Sequence, residues 1–111
     1  MELKVDRSDP GVTCVSLSGK LDVAGEEQIG DEFRGLVDSH TTHFLVDMSQ
    51  VSYLASLGIR LLFTAAKTLA AEKKKLVVVN PQPMVEETLL TSGTAKLIPI
   101  AHDHDEALGF L

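Results

Sequence analysis

The sequence contains a single cysteine, so no disulfide can close within the chain. That residue, Cys14, stands in the alternating run VTCVSLS (residues 12–18), where a thiol packs as a small apolar group. No apolar run approaches the roughly 18 residues that a membrane-spanning helix requires. The opening MELKVDRSDP is charged and lacks the apolar stretch of about 7–15 residues that marks a secretory signal. The expectation is a reducing, cytoplasmic setting without membrane insertion. Basic charge is also scarce: ten Lys and Arg stand against sixteen Asp and Glu, a formal net charge of −6. That balance repels a phosphate backbone unless the basic groups are segregated, so direct nucleic acid binding is not expected. The one basic cluster, KKK at 73–75, closes a predicted helix, where positive charge offsets free carbonyls.

What is present suffices for one globular unit. A chain of 111 residues with 44% apolar content can bury a core without metal or disulfide support. ELKVD and VTCVSLS place apolar residues at every second position, and DPG at 9–11 reads as the hairpin link between two strands. GKLD follows, with Gly19 as breaker and Asp22 as a cap for a helix from Val23 to about Asp38, where Ile29, Phe33, Leu36 and Val37 recur at helical spacing. THFLVDMS has the composition of a strand buried on both faces, whose end delivers Asp47 and Ser49 to a loop. From Leu57 to Glu72, residues Ile59, Leu62, Phe63, Ala66, Leu69 and Ala70 trace one helical stripe. KLVVVN is another buried strand, Met84 to Leu90 a short helix, KLIPIA an edge strand carrying Pro99, and DHDEALGFL a final helix. The order ββαβαβαβα calls for a single α/β domain with a mixed, mostly parallel sheet and about four helices. In such sheets functional residues gather at the carboxyl ends of strands, where Asp22, Asp47 and Ser56 are expected.

SYLASLGIRLL (residues 52–62) sets one hydroxyl, Ser56, among apolar neighbours at a strand-to-helix junction. Three roles are open to it. As an N-cap, its oxygen would accept from the amide of Gly58 or Ile59. As a nucleophile, it would sit in an elbow like G-x-S-x-G, but Leu54 occupies the first glycine position, and His102 and His104 lie in the polar turn AHDHDE. As a phosphate acceptor, it would place an anion where free helix amides welcome one. Leu54, Leu57 and Leu61 fall off the core stripe, so they are either buried on a second side or exposed for a partner. His40, His43, His102 and His104 read as solvent-exposed histidines and not as a metal site. For Asp22 and Asp47, capping and loop hydrogen bonds outrank acid/base chemistry.

LSGKLDVAG, FLVDMSQVSYLASLGIRLL and KLVVVNPQPMVEETLLTSGTAKLIPIAHDHDEAL together resemble the STAS domain family, the anti-sigma factor antagonists of bacteria, along nearly the whole chain, residues 1–111. The resemblance implies a non-enzymatic switch protein that needs no cofactor. It implies phosphorylation of Ser56 by an anti-sigma factor with serine kinase activity, release of the sigma factor by the unphosphorylated form, and resetting by a PP2C-type phosphatase. Asp22 would lie near the serine at the same interface, with Leu54, Ala55, Leu57 and Leu61 supplying apolar contact and Gly58 admitting the partner backbone. Many members carry Asp-Ser-(Ser/Thr)-Gly, whereas this chain has Ala55, Ser56, Leu57, Gly58, a more apolar loop. Other STAS proteins act as docking modules of ATP-driven lipid transporters or of stress-signalling complexes.

Overall fold

Period-two alternation at the start of the chain gives a hairpin, and everything after it is wound in one direction. The computed structural model describes residues 1–9, 11–40 and 42–111. Strand β1 (Glu2–Asp9) pairs antiparallel with β2 (Val12–Leu21). The expected turn at 9–11 includes Pro10, which lies outside the described residues. Helix α1 (Val23–Ser39), β3 (His43–Leu54), α2 (Ser56–Ala71), β4 (Leu76–Val79), α3 (Pro83–Thr91), β5 (Ile100–Ala101) and α4 (His104–Gly109) follow. The strands form one sheet in the order β1-β2-β3-β4-β5, with β2 to β5 mutually parallel. The expected mixed, mostly parallel sheet with four α-helices is the fold observed.

Strand alternation divides the core between the two faces of the sheet. Phe44, Val46, Leu76 and Val78 point to one face, where they meet Ile29, Phe33 and Val37 of α1, Leu62, Ala66 and Leu69 of α2, and Val85 and Leu89 of α3. Leu45, Val77 and Val79 point to the other, where Ala101 and Ala107 of the β5–α4 segment join them. Cys14 is half-buried against this second cluster, the packing expected of it.

Four details, in three elements, differ from the sequence reading. Strand β3 does not stop at Ser49 but runs on to Leu54, so Asp47 lies inside the strand. Its ladder with β4 ends at Asp47↔Val79, while β2 carries it further through two irregularities, to Leu21↔Leu54. Those irregularities break the alternation of QVSYL and mask the strand in the sequence. KLIPIA is strand only at Ile100–Ala101, because Thr94–Lys96 forms a 3-10 turn; β5 is the edge strand as expected, although Pro99 lies just before it. In α2, Phe63 is half-buried and Ala70 exposed, and the buried face comprises Gly58, Leu61, Leu62, Ala65, Ala66 and Leu69. Finally, the lysines close α2 through their backbone. The amides of Lys73 and Lys74 bond the carbonyls of Ala70 and Leu69 at 2.9 and 2.8 Å, with Lys73 at φ 60°, a Schellman closure. Lys75 instead sends its Nζ to the Phe110 carbonyl at 2.7 Å, at the C-terminus of α4.

Candidate partner-binding site

Strands β2 and β3 leave the sheet side by side and turn at once into α1 and α2. Leu21 and Leu54 are register partners, and the Ala55 amide donates to the Leu21 carbonyl at 3.0 Å, continuing the ladder one residue beyond β3. Asp22 then caps α1, its Oδ1 accepting from the Gly25 amide at 2.9 Å, as the sequence led us to expect. The two helix starts are therefore locked together by backbone geometry.

At the second start, Ser56 is not the cap. Ala55 holds that position with extended backbone and no side-chain acceptor, and Ser56 is the first helical residue. Its side chain is exposed and makes no hydrogen bond among the described residues. The first turn of α2 carries no acid either, so its leading amides have neither a side-chain partner nor a compensating charge from their own helix.

Beneath this hydroxyl the helix is pressed against β2. A Cβ on Gly58 would lie 2.6 Å from Leu21 Cγ, 2.7 Å from the Leu21 carbonyl oxygen and 2.9 Å from Leu54 Cδ1. The glycine thus admits the chain's own β2 end, where the resemblance implied a partner's backbone. Leu54 and Leu61 are 5% and 4% exposed and belong to the core, which corrects the expectation that they offer apolar contact at the surface. Leu57 and Ala55 are half-buried, as is Asp22. Ala55, Ser56, Leu57, Val23 and Arg60 line a shallow groove of about 350 Å³. Sequence reasoning passed over Val23 and Arg60. Arg60 was legible in principle, since it stands four residues after Ser56 and so shares its helix face.

The other candidates lie elsewhere. No histidine lines the groove around Ser56. His102 and His104 line a groove of about 440 Å³ at β4 and β5, together with Asp6, Cys14, Asp47 and Asp103. This separation removes the hydrolase reading, which needs serine and histidine within hydrogen-bond reach. Asp47 turns its Oδ1 back to the Ser49 amide at 2.8 Å, a local bond of the kind expected of it. His40 and His43 are half-buried, not solvent-exposed as expected. His40 Nδ1 bonds the Leu36 carbonyl at 2.9 Å, and His43 Nδ1 accepts from the Lys75 amide at 3.0 Å. Among the described residues, no group of three or more His, Cys, Asp or Glu is arranged to hold a metal ion. No described helix is long and apolar enough to cross a membrane.

A sheet with this hairpin start, these helix placements and a serine opening α2 can be compared with known proteins. The sequence profile of the STAS domain matches residues 4–107. The chain belongs to the STAS domain family. A relative named "Putative anti-sigma factor antagonist BtrV", from Bordetella bronchiseptica, is 29% identical over 107 residues, covering 96% of this chain and 91% of that protein. Among solved structures, the STAS fold here superposes on the anti-sigma factor antagonist SpoIIAA in its unphosphorylated form with a TM-score of 0.80, at 19% identity, covering 96% of this chain and 93% of that one. The Bacillus cell fate determinant SpoIIAA in its phosphorylated form gives 0.72 at 18% identity, with 97% of each chain covered.

Proposed function

We propose that this STAS domain is a cytoplasmic anti-sigma factor antagonist that acts by binding and is switched off by phosphorylation of Ser56. The observation that carries the reading is the state of that hydroxyl: exposed, unbonded, and opening a helix whose amides lack a side-chain cap. The name of the BtrV relative and the phosphorylated form described for SpoIIAA support it. The partner is an anti-sigma factor that is also a serine kinase, and a PP2C-type phosphatase resets the switch. In the forward step the Ser56 oxygen takes the γ-phosphoryl group of ATP. The bond to the β-phosphate oxygen breaks, ADP leaves, and the hydroxyl proton passes to a base of the kinase.

The docking surface is the groove of Val23, Ala55, Ser56, Leu57 and Arg60, and Asp22 caps α1 one residue before Val23. Leu54, Gly58 and Leu61 support it from below. Phosphate adds about −1.5 to −2 charges at an exposed helix start, where the fold tolerates an anion. Against a carboxylate or a bound nucleotide phosphate of the partner about 4 Å away, like charge costs up to roughly 4 kcal/mol at an effective dielectric of 20. That is close to a thousandfold in affinity.

The test uses the anti-sigma factor recovered with the wild-type chain. Ser56→Asp keeps stability within about 1 kcal/mol, because no hydrogen bond is lost and a carboxylate suits a helix start, yet weakens binding. Ser56→Ala keeps binding and abolishes the shifted band in a phosphate-affinity gel with the kinase. Equal partner affinity of Ser56→Asp and wild type, measured by calorimetry, would sink the switch.

A further inference from the structure

The basic residues of the two long helices are disposed differently. Arg34 on α1 is tied down on both sides, to Glu26 and to Asp31, each at 2.8 Å. Arg60 on α2 is exposed and makes no ion pair among the described residues. It lines the same groove as Ser56, four residues further along the helix, and among the described residues no acidic side chain lines that groove. Residues at i and i+4 meet on one helix face, and the favourable order places the anion N-terminal to the cation. A guanidinium also offers a planar fork of donors that matches a phosphate.

The geometry points to Arg60 as the intramolecular counter-ion of a phosphate on Ser56. The inference rests on the reading of Ser56 as a phosphorylation site and adds what holds the phosphate once it is there. With Arg60 closed over it, the phosphate is fixed across the first turn of α2 and does not swing freely in solvent. Arg60 acts on the modified serine only and is a positioning residue for it. Its pairing favours the dianion over the monoanion, because the second negative charge strengthens the attraction.

The experiment places phosphoserine at position 56 during synthesis by codon expansion, so that no kinase is needed. The phosphate is then titrated by phosphorus NMR in the full chain. The wild-type chain is expected to show a second phosphate pKa roughly 0.3 unit below that of Arg60→Gln, the size of an exposed i, i+4 ion pair. Arg60→Lys retains part of the shift, and raised salt abolishes it. Lys67→Gln, which removes another α2 cation from a position over Phe63, leaves the titration unchanged. Superimposable titrations of wild type and Arg60→Gln would overturn the pairing. So would an equal effect of Lys67→Gln, which would assign the shift to net charge. If the natural serine is not a substrate of the kinase, the proposed function fails, while this titration still decides the role of Arg60.

Discussion

Gly58 sets how closely α2 approaches β2, and the serine two residues before it is presented where it is because of that contact. With the backbone oxygen of Leu21 2.7 Å from an added Cβ, no side-chain adjustment alone can make room. Gly58→Ala should therefore lower stability by about 1–2 kcal/mol, because three atoms so close put the overpacking cost at the upper end, about 2–3 kcal/mol, against roughly 1 kcal/mol gained from the better helix propensity of alanine. Gly35 in α1 is the control, since a Cβ there meets nothing within 4 Å. Gly35→Ala should raise stability by about 0.5–1 kcal/mol. Urea unfolding of the two variants gives the comparison, and a Gly58→Ala chain as stable as wild type would refute the packing account. The sequence could suggest that this glycine permits close approach. It could not say to what, because the approaching group belongs to a strand end more than thirty residues earlier, brought there by the Leu21↔Leu54 pairing.

Helices and strands are joined at their ends by two histidines that respond to pH in opposite senses. His102 follows β5 and reaches Glu86 of α3 at 3.3 Å and Glu106 of α4 at 3.5 Å, linking helices on opposite faces of the sheet. The hydrogen bond and charge of Glu86, with the charge of Glu106, hold its pKa above the ordinary 6.5. A raised folded-state pKa means that its contribution is fully present below about 6.5 and fades as pH rises through the folded value. His43 opens β3 and accepts the Lys75 amide, which only the neutral ring can do. Burial, then the charges of Lys74 and Lys75, hold its pKa below 6.5. Its contribution is present above about 6.5 and is lost as pH falls through the folded value. Ring-proton NMR should show His102 titrating above His43, with Glu86→Gln bringing His102 down and leaving His43 in place; the reverse order would contradict both assignments. At this scale the start of α1 was legible, because the Asp22 cap is a local bond within four residues, whereas the start of α2 was misread by one residue, because Ala55, which has no side-chain acceptor, holds the cap position. The ends of β3 and β5 were not: β3 runs past β4 by pairing with β2, which depends on residues distant in the chain, and β5 is cut short by a 3-10 turn directly before the apolar run LIPI, which reads as strand by composition.

For the whole molecule, the two faces of the sheet are unequal. Among the described residues, only Leu45, Val77, Val79, Ala101 and Ala107 form the second cluster, whereas Leu21, Leu54 and Leu61 belong to the main core beneath α1, α2 and α3. Strand β5 has two residues and α4 six, so releasing this edge exposes little apolar surface. Small openings need little free energy and little denaturant dependence, while amides beneath the main core require global unfolding. The Val78 and Asn80 amides, which donate to the Pro99 and Ala101 carbonyls at 3.0 and 2.7 Å, should therefore exchange through a local opening nearly independent of urea. The Ala55 amide, which donates to Leu21 beside buried Leu54 and Gly58, should exchange only with an opening whose urea dependence approaches the global value. The proposed docking surface rests on this main-core region and stays in register when the β5–α4 edge loosens, so the proposed phosphorylation of Ser56 is expected to act through charge at the groove and not through movement of its base. Native-state hydrogen exchange followed at low urea measures both classes, and an Ala55 amide that exchanges along with Asn80 would mean that the platform under Ser56 is itself mobile.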